Sequence, residues 1–526
     1  MKRNANKILH SILFAVLLIL VLWTMYSRGL GTRGKGYTDA NQLSDKTIGV
    51  AVGATFEDTI RLEYPDATIK LFSSTADMIQ ALYEGKIDAF AGSRSGYYVL
   101  HETHPEILAL EPKVASIDVG YCFSGSGKGE QLLLQMDEYL EENRDTQEYQ
   151  QLVGLWISEG MDDPRRVIDR DGLSGENGTI VVAMSSTKAP FSYRKDGEFV
   201  GFEVAILYDF CRQYGYIPKI VDVNEDGLFA GLTTGIYDMG CGGIIINEER
   251  KRTTAFSEPS VVGSLILMTY DMSSVPASNP IEGIRDSFTR TFLKDHRWRL
   301  LAAGMGTTLM ITFVSAVLGL LLGFAMYRFP LVWKKDTLIY LIENFVRLTE
   351  DMPMVLFLMI LFYIVFTGLD GIPVAVIGCT LLFGADVYLI FQNRMKLISE
   401  GEREAAKALG YTEKQSFYLL FLPGIRAQLA NGIGNAAAAL LKSTAVVGYI
   451  AVNDLTKMSD LIRSYTYEAF FPLLTTAFIY FVMMKLVLVI VKWIVARLDP
   501  AYPGRKTLMK GIESYDNTGK DRKAIR

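Results

Sequence analysis

Residues 404–423 read EAAKALGYTEKQSFYLLFLP and form a polar interruption between two apolar runs of membrane-spanning length. A short helix is predicted to start at Glu404, and Gly410 follows it where a turn is expected, because glycine tolerates backbone conformations that other residues resist. The apolar residues after the turn predict a second helix that stops at Pro423. The stretch therefore predicts a helix–turn–helix loop that leaves the apolar part of a membrane protein.

The composition indicates a membrane protein with a sizeable soluble portion. Half of the 526 residues are hydrophobic, the mean hydropathy is +0.20, and the apolar residues are clustered. The net charge of -5 gives no sign of nucleic-acid binding. Because the four cysteines have neither CxxC spacing nor nearby histidines, they are predicted to be core thiols: Cys122, Cys211, Cys241 and Cys379.

The N-terminus carries an apolar run over residues 8–26, preceded by Lys2, Arg3 and Lys7. This pattern is typical of a cleavable signal peptide or of an uncleaved signal anchor. No clear small-x-small cleavage site follows, and the run is long for a signal peptide, so residues 1–36 are expected to remain as an anchor helix. In either case, the residues that follow are predicted to be exported.

Residues 37–275 are predicted to form a soluble α/β region. Strands and helices alternate at a spacing that favours a parallel sheet with crossover connections. A polar linker, 160–177, divides the region into two runs, 37–160 and 178–275. Strands are predicted at 46–52, 68–72, 86–92, 179–184, 219–223, 237–243 and 261–270, and helices from 55 onward and at 75–84, 129–142, 146–154, 202–214 and 227–235.

The C-terminal half is predicted to be helical and to cross the membrane. Residues 276–300 contain Phe288, Phe292 and Trp298 among basic residues, which indicates an amphipathic connector at the membrane surface. Five apolar runs follow within 301–500, and residues 501–526 form a polar tail. The predicted spans are 304–328, 338–366, 373–393, 427–452 and 471–495.

The basic residues orient these spans. Loops rich in lysine and arginine usually lie in the cytoplasm. On that basis the 404–423 loop and the C-terminus are predicted to be cytoplasmic, and the 37–275 region is predicted to lie outside the cell membrane. The basic residues concerned are Lys334, Lys335, Arg403, Lys407, Lys414, Arg426, Arg497, Arg505 and Lys506.

The 404–423 stretch resembles the EAA loop of ABC-importer permeases. The family pattern is Glu-Ala-Ala, three residues, Gly, six residues, Phe and then Leu-Pro, and Ala405, Ala406 and Phe417 complete it at the family's spacing. In that family the loop docks into a cytoplasmic ATPase subunit, so the resemblance implies such a partner. One permease domain per chain further implies pairing, as a homodimer or with a second permease.

The two runs of the α/β region resemble the two halves of a polar-amino-acid-type solute-binding protein. GFEVAILYDFC (201–211) and GGIIINEERKRTTAFSEP (242–259) are similar to the opening half of that family. TIGVAVGATFED (47–58) and ALYEGKIDA (81–89) are similar to its closing half, so the order is reversed. The resemblance implies one circularly permuted, two-lobed α/β domain, fused to an all-α permease domain. Two truncated half-domains are the alternative.

The resemblance also implies candidate residues for a small-molecule solute with a carboxylate. Arg250 stands at the position of the carboxylate-binding arginine, and Gly243 stands at the glycine whose backbone approaches the ligand. Asn247 occupies a position where the family has a hydroxyl residue, and Phe191 in the APFSY segment is a further candidate. Thr55, at a predicted helix N-terminus, could help to hold the carboxylate.

Other positions depart from the family pattern. Ile245 replaces a hydroxyl residue, and Ser93 stands where the family has the acid that pairs with the ligand's ammonium group. Aromatic positions align with Lys188 and with about Glu225. Glu225 or Asp226 could supply a displaced acidic partner. These departures predict an acidic or otherwise unusual solute, or a domain that binds no solute well.

Two polar groups lie within the predicted spans. Lys442, Ser443 and Thr444 resemble a family segment that follows the docking loop, and a charge inside a span is usually functional or paired. Lys442 could equally snorkel to the membrane surface. Glu350 and Asp351, which precede a proline, could mark a broken helix near a pathway or a plain polar break.

The sequence offers no catalytic constellation, metal site or cofactor site. GSGKGE at 125–130 lacks both the earlier glycine and the following Ser or Thr of a phosphate-binding loop, so it is predicted to be a turn before a helix. ATP hydrolysis is therefore expected to belong to a separate subunit. The leading hypothesis is an ABC-importer subunit in contact with membrane lipid; the rival is a membrane-anchored solute sensor.

Overall fold

The computed structural model describes residues 36–52, 56–125, 127–158, 163–195, 197–270, 285–333 and 336–498. The predicted N-terminal anchor, the C-terminal tail and the first part of the predicted connector lie outside these residues. The described residues form two compact units. The first unit ends at Ala303 and also includes Thr456–Thr476; the second comprises Gly304–Leu455 and the residues from Ala477 onward.

The first unit contains the α/β region. Its strands, in chain order, are β1 Thr47–Ala51, β2 Thr68–Phe72, β3 Ala89–Ser93, β4 Ile107–Ala109, β5 Ala115–Val119, β6 Cys122–Phe123, β7 Thr179–Met184, β8 Thr187–Lys188, β9 Ser192–Lys195, β10 Glu198–Val200, β11 Ile217–Asp222, β12 Met239–Cys241, β13 Ala255–Phe256 and β14 Val261–Tyr270. Its α-helices are α1 Phe56–Glu63, α2 Thr75–Tyr83, α3 Arg94–Thr103, α4 Gly127–Asn143, α5 Gln147–Val153, α6 Phe202–Tyr214, α7 Glu225–Thr233 and α8 Glu248–Lys251.

These strands build two main sheets, which define two lobes. In the first lobe the strand order is β2-β1-β3-β14-β4, and β5 also pairs with β14. In the second lobe the order is β11-β7-β12-β6-β13, accompanied by the three-stranded sheet β10-β9-β8. The chain passes from the first lobe to the second between β5 and β6, and returns between β13 and β14.

The lobes do not coincide with the two sequence runs on either side of the 160–177 linker. The second lobe is continuous in sequence, from β6 to β13, whereas β14 from the second run completes the sheet of the first lobe. The prediction of a parallel sheet holds for β2-β1-β3 and for β11-β7-β12. It is wrong for β14 and β6, which run antiparallel to their neighbours because they follow or precede a crossing between lobes.

Both lobe cores mix side chains from the two runs. In the first lobe, Leu265 and Leu267 of β14 pack with Ile48 and Val50 of β1, and all four are fully buried. In the second lobe, side chains from α4 and α5 pack with those of β7 and α6. Burial of apolar surface on both sides of each sheet is the main source of stability for such layers.

The remaining helices, most of them in the second unit, are α9 Trp298–Trp333, α10 Asp336–Asp351, α11 Met354–Ile360, α12 Gly371–Met395, α13 Glu400–Ala408, α14 Glu413–Gln415, α15 Leu422–Ser443, α16 Leu455–Thr466 and α17 Phe470–Leu498. Among the described residues, four helices are long and apolar enough to cross a membrane, and a fifth span exists if one bent pair is counted. The described residues therefore contain four or five candidate membrane spans.

The bent pair replaces the second predicted span, 338–366. Helix α10 ends at Asp351, and α11 starts at Met354 with Pro353 as its N-cap. The two helical segments differ in direction by 116°. A proline at this position cannot donate the backbone hydrogen bond that would continue α10, so the helix breaks there. The break agrees with both interpretations of Glu350 and Asp351, a broken helix near a pathway and a plain polar break.

The prediction that a helix stops at Pro423 is wrong. Pro423 lies in the first turn of α15, and the chain is helical on both sides of it, from Glu413 to Ile450. Pro423 lies where a π-helical segment, Ser416–Phe421, passes into α15, and the change in the hydrogen-bond pattern at this junction accommodates the missing proline N–H.

Candidate functional site

The Arg250 side chain contacts at least three groups of the second lobe. Its guanidinium contacts the carboxylate of Glu225, donates to the backbone oxygen of Ile245 at 3.2 Å, and lies over the ring of Phe229 at 5.1 Å. Only 16% of the Arg250 side chain is exposed. A guanidinium pairs well with a carboxylate, and in this lobe its carboxylate partner is Glu225.

Glu225 lies between two cations. One carboxylate oxygen contacts Arg250, and the other accepts a hydrogen bond from the Lys188 Nζ at 2.9 Å. Burial opposes the charged form of Glu225, but the charges of Lys188 and Arg250 together outweigh it and lower the pKa of Glu225. The structure therefore brings together three of the predicted site residues in one ion cluster, which we call the Arg250 triad: Lys188, Glu225 and Arg250.

Position 243 requires glycine because the ring of Phe191 lies close to its backbone. Its φ is +68°, and a Cβ there would lie 2.7 Å from the ring of Phe191, which is itself buried in the core of the second lobe. The N–H of Gly243 donates to the carboxylate of Glu203 at 2.8 Å, and the N–H of Gly242 donates to the same oxygen. These two backbone donors are therefore directed at a side chain of the same lobe.

Glu203 is a buried carboxylate that the sequence interpretation missed. It lies on α6 in the segment GFEVAILYDFC and is fully buried. The signal was a single acid at a core-facing position of an apolar helix, because a buried charge needs dedicated partners. Burial raises the pKa of Glu203 to about 7, against the opposing effect of the two glycine N–H groups.

The raised pKa of Glu203 predicts how the stability of Glu203→Gln depends on pH, compared with that of the parent protein. The folded state holds the proton of Glu203 more tightly than the unfolded chain, so the free energy of unfolding falls as the pH rises from about 4.5 to about 7. The amide that replaces the Glu203 carboxyl does not titrate. Between pH 5 and pH 8 we therefore expect the free energy of unfolding of the variant to rise by about 3 kcal/mol relative to that of the parent. Denaturant unfolding of residues 37–275 at both pH values measures it. Glu130→Gln, an exposed acid on α4, is the matched control, and an equal difference at both pH values would contradict the assignment.

The other predicted site residues have local roles or lie apart. Asn247 caps α8 by accepting from the N–H of Arg250 at 2.7 Å. Ser93 belongs to the first lobe and caps α3 by accepting from the N–H of Gly96 at 3.1 Å. Asp226 is exposed in the first turn of α7. Thr55 lies outside the described residues.

The residues before the last span, together with the first seven residues of that span, also pack in the first unit. We call residues 456–476 the bridging segment. Arg463 donates to Asp77 in the first lobe at 2.6 Å, while the Tyr465 hydroxyl accepts from the backbone N–H of Arg194 in the second lobe at 2.7 Å. One segment thus contacts both lobes. The predicted continuous permease block, 301–500, did not anticipate this packing, because the segment resembles an ordinary amphipathic helix in sequence.

Lys457 adds a further contact between the bridging segment and the lobes. Its Nζ lies 3.9 Å from a carboxylate oxygen of Asp222, and the two side chains are only 11% and 4% exposed. Asp222 ends β11 and also accepts from the backbone N–H and the hydroxyl of Ser186. A buried carboxylate with several partners fixes the position of the cation that pairs with it.

The 404–423 loop forms two short helices with matching caps. A capping box at Ser399 opens α13, Gly410 has φ +84° in the turn, and a second capping box at Thr412 opens α14. The helix thus begins four residues before Glu404, earlier than predicted. Glu404 and Ala405 are exposed, whereas Ala406 is buried. Glu404 and Ala405 therefore lie on the face of α13 that is exposed in the described part of the chain.

The three polar residues at the end of α15, Lys442 to Thr444, differ in exposure. Lys442 and Ser443 are exposed, and the Ser443 hydroxyl donates to the backbone oxygen of Ala439 at 3.1 Å. Thr444 is fully buried, and its hydroxyl donates to the backbone oxygen of Leu441 at 2.7 Å. Thr444 thus has a local structural partner, while any transport role of Lys442 stays a prediction.

A two-lobed α/β unit with a fixed arginine, in one chain with apolar helices of membrane-spanning length, defines a membrane protein with a solute-binding domain. The family model described as bacterial extracellular solute-binding proteins, family 3, matches residues 180–452, slightly more than half of the chain. The chain therefore belongs to this family of solute-binding proteins.

The chain is also homologous to polar amino-acid ABC permeases. The arginine transport system permease protein ArtQ of Bacillus subtilis is 28% identical over 206 residues, which cover 37% of this chain and 90% of that permease. The histidine/lysine/arginine/ornithine transport system permease protein HisQ of Salmonella typhimurium is 28% identical over 194 residues, covering 34% and 84%. A fused binding domain and permease is consistent with both findings.

A sensor protein is a third relative. The virulence sensor protein BvgS of Bordetella pertussis is 24% identical over 252 residues, which cover 46% of this chain. The matched part is 20% of the length of BvgS, so the chain spans about a fifth of that protein.

Proposed function

We propose that this chain is the membrane-spanning subunit of an ATP-driven ABC importer that carries its own solute-binding domain. The observation that carries the proposal is the combination, in one chain, of membership of the solute-binding family with homology to amino-acid permeases. The solutes proposed are amino acids or related small carboxylates, because the permease relatives are amino-acid transport proteins and Arg250 is a fixed carboxylate-recognising group.

In this proposal the α/β domain lies outside the cell membrane, and the 404–423 loop and the C-terminus lie in the cytoplasm. A separate ATPase subunit binds the exposed face of α13, and two permease domains, most simply from two copies of this chain, form the pathway. The α/β domain is a circularly permuted version of the family domain. The strand exchange that completes both sheets supports its being one domain rather than two half-domains.

The bridging segment provides a physical link between solute binding and transport in this proposal. Hinge closure of two lobes around a solute is a common first step of alternating access. Arg463 pairs with the first lobe and Tyr465 with the second. A change in the angle between the lobes would therefore shift this segment or break one of these two contacts. The segment is continuous in sequence with α17, one of the helices long enough to span.

The second candidate function is a membrane-anchored solute sensor, favoured by the similarity to BvgS. Affinity purification of the full chain from its native membranes separates the two functions. We expect an ATP-hydrolysing subunit to co-purify at about one per chain, as closed symmetric assemblies require equal contacts. Recovery of a signalling partner and no ATPase under the same conditions would support the sensor and contradict the importer.

A further inference from the structure

The Arg250 triad contains a carboxylate that the chain itself supplies. In the second lobe, the Arg250 guanidinium already contacts the Glu225 carboxylate, donates to the backbone oxygen of Ile245 and lies over the Phe229 ring. The face of the guanidinium that could form a charge-assisted hydrogen bond with a bound carboxylate is therefore engaged by a side chain with the same chemistry.

Both oxygens of Glu225 take part in the triad. Lys188 holds the oxygen that Arg250 does not contact, at 2.9 Å. Glu225 is anchored at its backbone too, because it opens α7 directly after the cap residue Asn224, whose side chain accepts from the N–H of Gly227 at 3.0 Å. The carboxylate is thus presented to the two cations by a fixed helix end and is not a loosely placed surface acid.

We propose that Glu225 is an internal competitor for the Arg250 guanidinium, and hence a specificity-determining residue of the solute site. A tethered group acts at an effective concentration in the millimolar range or above. A solute carboxylate must displace Glu225 to reach Arg250. If the Glu225 contact is formed about nine-tenths of the time, only about a tenth of the molecules can accept the solute, which then binds about tenfold more weakly than without this competition. The inference rests on the proposed solute-binding function of the domain, but not on transport.

Replacement of Glu225 by alanine tests the proposal with a chemically matched probe. Alanine retains the Cβ and removes a CH₂–COO⁻ group, for which acetate is a replacement of similar size and charge. We expect the full chain, purified in lipid nanodiscs, to bind acetate at least about tenfold more tightly as Glu225→Ala than in its native form, because the tethered competitor is gone. Isothermal titration with sodium acetate measures the two affinities.

Three controls make this experiment specific. Asp226→Ala removes the neighbouring exposed acid of the same helix turn and should leave acetate affinity unchanged. Acetamide, a neutral probe of the same shape, should bind none of the proteins. Addition of Arg250→Ala to Glu225→Ala should abolish the gain. Equal acetate affinity of the native chain and Glu225→Ala, or equal gains for Glu225→Ala and Asp226→Ala, would overturn the proposal.

A second variant covers the case in which Glu225→Ala does not fold. Glu225→Gln keeps the side-chain volume and removes the charge, so L-alanine is expected to bind this variant at least about tenfold more tightly than the native chain. Unchanged L-alanine affinity would overturn the proposal. These binding measurements need no ATPase, so their failure can be distinguished from a failure of the importer assignment, which is decided by ATPase co-purification.

Discussion

Residues 37–160 and 178–275, produced as separate chains, are each expected to lack a cooperative unfolding transition. The reason is the exchange of strands between lobes. Strand β14 belongs to the second run but completes the sheet of the first lobe, and β6 belongs to the first run but lies in the sheet of the second lobe. A cut in the 160–177 linker therefore divides both hydrophobic cores and leaves neither sheet complete.

The expected effect is large enough to abolish folding. The first run contributes at least eight large buried side chains to the core of the second lobe, and full burial of each contributes about 1.5–3 kcal/mol. Their loss would exceed about 12 kcal/mol, whereas domains are typically stable by about 5–15 kcal/mol. The side chains concerned are Tyr121, Phe123, Leu132, Met136, Tyr139, Leu140, Tyr149 and Trp156.

Two further fragments serve as controls for this prediction. Residues 121–258 contain the whole second lobe as a continuous segment and are expected to unfold cooperatively on their own. Residues 37–275 contain both lobes and should do the same. Thermal and urea unfolding followed by circular dichroism measures all four fragments. Cooperative unfolding of 37–160 or of 178–275 as a monomer would contradict the single-domain account.

Glu404→Lys is expected to remove the ATPase subunit from the purified protein. Glu404 is exposed on α13, a helix fixed by a capping box at its start and by the buried Ala406. Reversal of a charge at an interface juxtaposes like charges or leaves a partner unpaired, and a loss of about 3 kcal/mol lowers the affinity more than a hundredfold. We expect the amount of co-purified ATPase to fall below a tenth of that recovered with the native chain.

The matched control for this variant is Glu400→Lys, the same charge reversal at another exposed position of the same helix. It should retain most of the ATPase. Quantitative mass spectrometry of the two purified proteins gives the subunit ratio directly. If Glu404→Lys retained the native ratio, the assignment of the 404–423 loop as the ATPase-binding element would be contradicted.

Local elements were predictable from the sequence because their periodicity is local. The strands at 68–72, 179–184 and 261–270 and the helix at 202–214 have the bounds that the sequence predicted. Alternation of apolar residues and turn signals is sufficient to define such elements. The same holds for Gly410, whose positive φ follows from its place between two capped helices.

Long-range relationships were not predictable in this way. That β14 returns to the first lobe depends on a pairing between residues more than 100 positions apart, which leaves no local pattern. The partnership of Glu225 with Arg250 depends on the direction in which two helix ends point. The contacts of Arg463 and Tyr465 with both lobes join segments that are separated by the whole set of preceding spans.

The importer assignment is tested most directly by ATP-dependent accumulation in proteoliposomes. The purified complex of this chain with its ATPase would be reconstituted, and a ¹⁴C-labelled mixture of amino acids at millimolar concentration would be offered on the side of the α/β domain. We predict that label accumulates only with ATP on the opposite side and only with the native 404–423 loop. Binding of label to the α/β domain with no ATP-dependent accumulation would contradict the account and support the sensor.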